Sequence, residues 1–287
     1  MKIIDILKNS NLKYKNVLEK LVGFYLWIPK EEIFKKFDME VSDITYEKII
    51  KWYSEYVNQK KPLEYILWYV EFFGLKFKVN EYTLIPRPET EYMITAVCNH
   101  INENIQNNKV NIIDVWTWCW VIWISAFYWN SSYTDNLLLL DVDKNALSVA
   151  KENLLYFCKD HNKVSLAESN LLDYFIKNKQ NFENNLNLIV WNLPYIPDEV
   201  FENDVEDNVR LWEPGKAFVW WEDGLDLYRE LLNQLTDYEI KNINTVIFLE
   251  MMENQVVKLQ EEYKNIFEFE IIKTFHFNIK IVKLEKV

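Results

Sequence analysis

The sequence predicts an α/β protein in which a small N-terminal helical bundle and a β-hairpin linker precede a doubly wound, mostly parallel sheet. Residues 1–72 place apolar side chains at the three- and four-residue spacing of amphipathic helices. Residues 73–90 combine aromatic and β-branched residues with a glycine and two prolines, a pattern typical of a hairpin and its exit loop. Residues 91–287 alternate short apolar runs with helical patterns, which is typical of a parallel sheet covered by helices.

Three helices are predicted in the N-terminal bundle, around residues 3–7, 17–22 and 49–57. Ser42 precedes the third, and a serine at such a position can accept a hydrogen bond from a backbone N–H of the first helical turn. The aromatic and β-branched residues between Glu71 and Leu84 then predict the hairpin, with turn signals at Gly74 and at Asn80-Glu81.

The sheet is predicted from apolar runs in the C-terminal part of the chain. Strands are predicted at residues 111–115, 137–142, 163–167, 186–191 and 245–250, with further strand-rich sequence at 267–284. Helices are predicted at residues 89–100, 121–129, 144–157 and 225–235. In a doubly wound sheet, ligands bind beyond the carboxyl ends of the strands, where the strand order reverses. Asp114 and Asn192 both fall at predicted strand carboxyl ends, so we expect the functional site at that edge.

Composition and charge narrow the classes of function. The net charge of −12 argues against tight, sequence-independent binding to nucleic acid, although a local basic patch stays open. The sequence lacks an uncharged apolar run of about 18 residues, so we expect no membrane span. Residues 1–10 include an aspartate and lack the basic-then-apolar order of a signal peptide. The three cysteines and three histidines are scattered without disulfide or metal-ligand spacing, so we expect a cytoplasmic protein without a metal site.

The tetrapeptide Asn192-Leu193-Pro194-Tyr195 follows the apolar run 186–191. At the end of a buried strand, an asparagine side chain and the neighbouring backbone carbonyls can accept hydrogen bonds from a planar amide or amine. Such a group can thereby be held in place while a methyl group approaches it. An ordinary exit from a strand into a loop is the alternative, because Asn and Pro are common turn residues.

Asp141 ends the second predicted strand of the sheet. An acidic residue there can accept hydrogen bonds from both ribose hydroxyls of a nucleoside cofactor, as in dinucleotide-binding folds. Alternatively, Asp141 or Asp143 is the N-cap of the predicted helix 144–157. The stretch from Asp114 to Ile122 lies between a predicted strand and a predicted helix, which is the position of a cofactor-binding turn.

Several co-linear motifs extend over nearly the whole chain. They are Pro62-Leu63-Glu64-Tyr65-Ile66-Leu67, Glu71-Phe72-Phe73-Gly74, Leu84-Ile85-Pro86-Arg87-Pro88-Glu89-Thr90-Glu91, Glu213-Pro214, Asp223-Gly224-Leu225-Asp226, and Leu249-Glu250 with Gln255. With the tetrapeptide at Asn192, their order and spacing resemble the HemK/PrmC family, the protein-(glutamine-N5) methyltransferases of peptide chain release factors.

The resemblance implies a fold, an activity and a set of partners. The implied fold is a small N-terminal helical bundle for substrate recognition and a Rossmann-like, seven-stranded class I methyltransferase domain. The implied methyl donor is S-adenosyl-L-methionine, and the implied acceptor is a glutamine side chain in a release factor. We also expect a monomer, with no membrane partner and no direct binding to nucleic acid.

Residue roles are implied in the same way. The implied cofactor turn consists of Asp114, Trp116, Thr117, Trp118, Cys119 and Trp120. Asp141 is implied to bind the ribose, and Asn170 and Leu171 to border the adenine, although these two also suit an ordinary loop. The residues implied to bind the glutamine are Asn192, Leu193, Pro194 and Tyr195, of which Asn192 also faces the cofactor, and Asn192, Pro194 and Tyr195 serve in catalysis. Arg87, Glu89 and Glu91 either support the site or belong to the domain junction.

The chain departs from the family pattern mainly through tryptophan. Tryptophan replaces the three glycines of the cofactor turn, at residues 116, 118 and 120, and stands at 68, 123 and 221 where a glycine or small residue is expected. Trp191 replaces a serine, Leu193 the first proline of the substrate motif, and Met252 a glycine. The sequence holds four glycines and twelve tryptophans, whereas a globular chain is about 7% glycine.

These replacements bear on cofactor binding. Glycine in a ligand-binding turn permits positive φ and close approach of the ligand, whereas an indole would fill the space of the methionine or adenosine moiety. One hypothesis is that UGA is read as tryptophan, because single base changes convert the glycine codon GGA and the serine codon UCA to UGA. UGG codons at positions 116, 118 and 120 would contradict that hypothesis.

Other functions stay open from the sequence. An N6-adenine methyltransferase could hold an exocyclic amine with the same tetrapeptide, although the acidic charge disfavours it. A glutamine methyltransferase for a ribosomal protein is a closer alternative. A non-enzymatic alternative is an inactive homologue, for which the tryptophans of the cofactor turn are the main support.

Overall fold

A computed structural model describes residues 1–9, 12–104, 109–115, 121–158, 161–192, 206–214, 223–236, 243–272 and 279–287. The chain divides into two compact units. The first comprises Met1–Tyr69 with Glu206–Trp212, and the second comprises Val70–Val205 with Glu213–Val287.

The first unit is helical. Its helices are Ile3–Leu7, Lys15–Leu26, Asp43–Asn58, Leu63–Leu67 and Asp207–Trp212, with a 3₁₀ segment at Lys30–Lys36. Leu18, Leu21 and Ile49 are fully buried at the centre of its apolar core. The predicted helix start at Ser42 is confirmed, because the Ser42 side chain accepts a hydrogen bond from the Thr45 N–H at 3.2 Å.

A hairpin is confirmed, and its strands are β1 (Tyr69–Phe72) and β2 (Leu75–Lys78). It begins two residues before the predicted stretch Glu71–Leu84 and ends six residues before its end. Its turn places both Phe73 (φ 49°) and Gly74 (φ 74°) in the left-handed region, as a two-residue turn that matches strand twist requires. Glu91 Oε1 accepts a hydrogen bond from the Phe73 N–H at 2.8 Å. Glu91 therefore holds this turn.

A seven-stranded sheet forms the centre of the second unit. Its strands are β3 (Val110–Val115), β4 (Thr134–Asp141), β5 (Val164–Glu168), β6 (Leu186–Trp191), β7 (Thr245–Met252), β8 (Phe267–Ile272) and β9 (Ile279–Lys286). Their order is β5-β4-β3-β6-β7-β9-β8. β3 to β7 are parallel, and β9 runs antiparallel to β7 and β8.

The described helices of this unit are Glu91–Asn104, Val121–Trp129, Lys144–Phe157, Asp173–Lys177, Asp226–Thr236 and Glu253–Tyr263. The sequence predicts four of them, but not Asp173–Lys177 or Glu253–Tyr263. The predicted helix at 89–100 begins two residues later, because Pro88–Thr90 form a 3₁₀ turn before it. The third predicted strand, 163–167, is also displaced by one residue. None of the described helices is long and apolar enough to cross a membrane.

The strand order locates the edge at which a ligand is expected. The chain adds β4 and β5 on one side of β3, and then crosses to add β6 on the other side. The order thus reverses between β3 and β6, and a crevice forms at the carboxyl ends of these strands in sheets of this kind. Asp114 lies next to the carboxyl end of β3, and Asn192 follows β6 directly.

Candidate functional site

Asp141 is the last residue of β4 and is fully buried. Its Oδ1 accepts a hydrogen bond from the Asp143 N–H at 2.8 Å. The helix N-cap is Asp143, whose Oδ1 accepts from the Asn145 N–H at 2.7 Å. Of the two roles considered for Asp141, the cap therefore belongs to its neighbour.

The environment of Asp141 suits a ligand that donates hydrogen bonds. Its Oδ2 is buried and has no hydrogen-bond partner among the residues described. Burial raises the pKa of this carboxyl to about 7, from 3.8 for the free side chain, while the Asp143 N–H opposes the shift. A pair of ribose hydroxyls would satisfy the second oxygen, so the residues present fit a nucleoside cofactor here.

Asp114 is fully buried within β3. In the sheet it is in register with Leu139 of β4 and Val190 of β6. It therefore lies on the central strand, between the strands that carry Asp141 and Asn192.

Asn170 and Leu171 follow β5 in a turn. Asn170 is exposed and its Nδ2 donates to Glu230 Oε1 at 3.1 Å. Leu171 is buried with φ 44°, and its carbonyl accepts from the Ser169 hydroxyl at 3.0 Å. Ser169 also accepts the Tyr174 N–H at 3.0 Å, so its side chain fixes the shape of the turn. Leu171 is thus held rigidly, whereas the Asn170 side chain is engaged with a helix.

Asn192 is half-buried beyond the carboxyl end of β6. Its Nδ2 donates a hydrogen bond to Thr90 Oγ1 at 3.2 Å. Thr90 is almost completely buried at the end of the 3₁₀ turn that precedes the helix 91–104. The carboxamide of Asn192 therefore has a fixed partner on a different element.

The segment that carries Thr90 is itself anchored. Glu213 Oε1 accepts a hydrogen bond from Arg87 Nη2 at 2.8 Å, and its Oε2 accepts from the Ile85 N–H at 3.1 Å. The Glu213 side chain is only 1% exposed, whereas the Arg87 side chain is 29% exposed, so the carboxylate of this pair is shielded from solvent. Removing one partner of such a pair strongly destabilises the fold, because it leaves a buried charge without compensation.

Some of the residues predicted for the site lie outside the described ranges. They are Trp116, Thr117, Trp118, Cys119 and Trp120 of the cofactor turn, and Leu193, Pro194 and Tyr195 of the substrate motif. Trp221 lies outside them as well.

Three tryptophans that the sequence places at small-residue positions are described. Trp68 has φ 63°, which favours glycine, and ends the helix 63–67. Trp123 and Trp191 are fully buried, and their Nε1 atoms have no hydrogen-bond partner among the described residues. Met252, by contrast, has φ −73° and starts the helix 253–263, so its backbone does not require glycine.

The structure thus brings Asp114, Asp141, Leu171 and Asn192 to one edge of the sheet. Thr90 and Glu213 are polar residues of this region to which the sequence reasoning gave no role. Both lie within the motifs Leu84–Glu91 and Glu213-Pro214, which was the available signal. Among the residues described, no group of three His, Cys, Asp or Glu side chains could hold a metal ion.

Three relatives in sequence are named release factor glutamine methyltransferase. No family model matches the chain. The release factor glutamine methyltransferase of Bacillus cereus is 32% identical over 188 residues, which are 64% of this chain and 63% of that protein. The release factor glutamine methyltransferase of Lactococcus lactis is 30% identical, and the match covers 75% of this chain and 74% of that protein. The Flavobacterium psychrophilum protein is 29% identical over 91% of this chain and 90% of its own.

Solved structures confirm the fold class. The N-terminal domain of human METTL16 in complex with SAH has a TM-score of 0.53 at 12% identity, covering 97% of this chain and 98% of that chain. The catalytic domain of the same human protein, in complex with the MAT2A 3′UTR hairpin 6, has a TM-score of 0.55 at 12% identity and covers 85% of this chain and 82% of that one. The second unit therefore has the Rossmann-like fold of class I methyltransferases, and at this identity the likeness concerns the fold alone.

Proposed function

Since the chain belongs to the release factor glutamine methyltransferase family, we propose that it transfers a methyl group from S-adenosylmethionine to the side-chain amide nitrogen of a glutamine. The acceptor we propose is a glutamine in a peptide chain release factor. We also propose that the enzyme acts as a monomer in the cytoplasm. The matched region spans 63% of the Bacillus cereus relative. Activity, substrate and partner are therefore proposed for this chain rather than transferred with the family.

One observation carries the proposal. A half-buried asparagine, Asn192, follows β6 at the point where the strand order reverses, and its carboxamide is held by Thr90 at 3.2 Å. A fixed amide oxygen beside a crevice can accept an N–H bond from a second amide. A glutamine side chain supplies such a donor.

The chemistry follows from the nature of an amide nitrogen. Its lone pair is delocalised into the carbonyl, so it is a weak nucleophile. In the proposed complex, Asn192 Oδ1 and the backbone carbonyl of Leu193 each accept one N–H bond of the glutamine. This contact orients the nitrogen toward the methyl group and favours the positive charge that grows on it in the transition state. The nitrogen loses its proton after the methyl transfer, so no dedicated strong base is needed.

The remaining roles complete the proposal. Bound S-adenosylmethionine supplies an electrophilic methyl group on a positively charged sulfur. Asp141 binds the ribose hydroxyls through the oxygen left over from its contact with Asp143. Leu171 borders the adenine with Asn170, and residues 114–120 form the turn around the methionine moiety. Tyr195 packs against the plane of the glutamine amide and helps exclude water, and Pro194 belongs to the same substrate motif.

A methylation assay tests the acceptor. The purified chain, S-adenosylmethionine and a release factor are expected to give one added methyl group on a single glutamine, located by peptide mass spectrometry. A release factor with Asn at that glutamine is the control and should gain none. Methylation of a ribosomal protein or of adenine in nucleic acid, without methylation of any release factor, would reject the proposed substrate.

A second measurement tests the cofactor turn. Calorimetry with S-adenosylmethionine compares the chain with a variant that carries glycine at positions 116, 118 and 120. We expect the glycine variant to bind more tightly, because an indole occupies space that a ligand requires. Equal affinity of the two proteins would contradict the steric explanation, and micromolar binding by the unchanged chain would reject an inactive homologue.

A further inference from the structure

Thr90 and Asn192 lie far apart in the chain and meet at the candidate site. Asn192 Nδ2 donates to Thr90 Oγ1 at 3.2 Å, and Thr90 is only 1% exposed. The hydroxyl is therefore desolvated and close to the group that the proposed mechanism uses. The Thr90 hydroxyl therefore contacts the Asn192 side chain and is shielded from solvent.

The orientation of the Asn192 carboxamide decides what it offers a substrate. A carboxamide has an acceptor oxygen and a donor nitrogen of nearly the same shape. If the two were exchanged, Asn192 would present N–H bonds to the N–H bonds of a glutamine. Engaging Nδ2 with Thr90 directs Oδ1 to the opposite side of the carboxamide, as an acceptor.

Thr90 is itself held in place. Its backbone N–H donates to the Arg87 carbonyl at 3.0 Å, and Arg87 and Ile85 are bound to the buried Glu213 carboxylate. Asn192 and Glu213 are thus both hydrogen-bonded to residues within 85–90. A hydroxyl on a segment fixed in this way can hold a neighbouring side chain in place, here with Asn192 Nδ2 as the donor.

We propose that Thr90 is a positioning residue for methyl transfer, which fixes the Asn192 carboxamide with Oδ1 toward the acceptor amide. This rests on the proposed function. Thr90 itself touches neither substrate nor cofactor in the proposed complex, and it acts through Asn192.

The test compares T90V, which removes the hydroxyl while retaining the shape, with T90S, which retains it. T90V is expected to lower kcat by about tenfold to a hundredfold, the effect of misplacing a reacting group, with the KM for S-adenosylmethionine nearly unchanged. T90S should stay within about threefold of the unchanged chain, since the hydroxyl remains available to Asn192. T95V is the matched control, because the Thr95 hydroxyl, on the helix that follows, bonds the Glu91 carbonyl at 3.0 Å.

A measurement without turnover separates this proposal from the proposed function. The side-chain amide of Asn192, observed by ¹⁵N NMR in the free protein, should exchange its hydrogens faster in T90V than in T90S or T95V. Equal exchange in all three variants would overturn the positioning role. An absence of methylation in the unchanged chain, with the T90V exchange effect present, would instead reject the proposed acceptor.

A second, independent observation concerns the tryptophans. Trp27 and Trp68 each end a helix with left-handed backbone, at φ 56° and φ 63°, and are 92% and 50% exposed. Left-handed backbone at the end of a helix favours glycine, whereas any residue with a side chain is strained in that conformation. Exposed indoles at such sites recover little of that strain through packing.

Other tryptophans have ordinary surroundings. Trp52 lies within the helix 43–58 with its ring 4.5 Å from that of Tyr25, and Trp212 donates its Nε1–H to the Gln59 carbonyl at 2.8 Å. Trp27 and Trp68 thus differ from Trp52 and Trp212 in having left-handed backbone at a helix end.

We infer that Trp27 and Trp68 occupy glycine positions, and that glycine stands there and at 116, 118 and 120 in the protein made by the cell of origin. The coding sequence would then carry one codon, UGA, at these five positions and UGG at 52 and 212. Reading UGA as glycine rather than tryptophan would relieve the strained backbone and would return a glycine-rich cofactor turn.

Peptide mass spectrometry of the protein isolated from its own cells tests this inference. The expected result is glycine at 27 and 68 with tryptophan at 52 and 212, and tryptophan at 27 and 68 would overturn it. In the recombinant chain, W27G and W68G should each raise the unfolding midpoint by a few degrees, about what relief of a left-handed residue gives. W52G and W212G are the controls and should lower the midpoint.

Discussion

At the scale of the residue, Asp141 combines a cost to the fold with a use in the site. Its carboxyl is fully buried and only one of its oxygens has a partner among the described residues. Burial raises its pKa to about 7. In the unfolded chain the same carboxyl has its ordinary pKa of 3.8, so the folded state binds its proton more tightly.

This shift fixes the sign of a pH effect on stability. Because the folded pKa is above the unfolded one, Asp141 is expected to destabilise the fold as the pH rises from about 4 to about 7. Each pH unit in that window costs at most about 1.4 kcal/mol. Above pH 7 both states are ionised and the loss is complete.

The variant D141N isolates this effect. It cannot ionise, so its free energy of unfolding should exceed that of the unchanged chain at pH 7.5, and the difference should shrink toward pH 5. Urea denaturation at the two pH values measures it, and D143N serves as the neighbouring control. A difference that stays the same at both pH values would show that ionisation of Asp141 is not the cause.

Sequence reasoning reached Asp141 and Asn192 because both residues mark the ends of strands, which apolar runs reveal. The sequence indicates no role for Thr90, since its hydrogen bond with Asn192 joins positions 102 residues apart in the chain. It also left the cap of helix 144–157 open between two aspartates, and only the geometry assigns it to Asp143.

At the scale of the element, a ladder of asparagines links three strands of the sheet. Asn136 Nδ2 donates to Asn111 Oδ1 at 2.9 Å, and Asn111 Nδ2 donates to Asn187 Oδ1 at 2.9 Å. These residues are also directly in register, Asn111 with Asn136 on one side and with Asn187 on the other. Asn111 and Asn187 are fully buried. A shift in strand register would therefore leave buried side-chain amides without hydrogen-bond partners.

A double-mutant cycle measures this ladder. N111L is expected to lower the free energy of unfolding by about 2–4 kcal/mol, because it leaves buried groups on two neighbours without a partner. N187L should cost a similar amount, as its Nδ2 also donates to the Phe182 and Asn244 carbonyls. The double variant should cost less than the sum, with a coupling energy above about 0.5 kcal/mol. Strict additivity, measured by urea denaturation, would contradict the ladder.

The sequence predicts the positions of the strands better than their pairing. Apolar runs such as Leu186–Trp191 indicate a buried strand by their composition. The tail from 267 to 284 was recognised only as strand-rich, whereas it forms β8 and β9, which pair antiparallel with each other. Pairing of that kind depends on contacts between distant segments, which a local pattern does not encode.

At the scale of the whole molecule, the first unit is discontinuous in sequence. Helix 207–212 belongs to it, although residues 1–69 supply the rest. Lys60 Nζ bonds Asp207 Oδ2 at 2.6 Å, and the Lys61 ammonium lies 5.2 Å from the Trp212 ring centroid. The boundaries that the sequence suggests, after residues 72 and 90, remain predictions. The sequence does not indicate that helix 207–212 belongs to the first unit, because a six-residue helical pattern is the same in either unit.

Hydrogen exchange tests this membership. Leu21 is fully buried in the core of the first unit and Leu188 in β6 of the second. L21A leaves a cavity that costs about 2–5 kcal/mol, and amides exchange through cooperative units of local unfolding. We therefore expect L21A to speed exchange in helix 207–212 together with helices 15–26 and 43–58, and to leave β6 as protected as before. L188A should have the converse effect. If helix 207–212 followed β6 in both variants, it would belong to the sheet domain, and the six residues would be an ordinary part of the chain between β6 and β7.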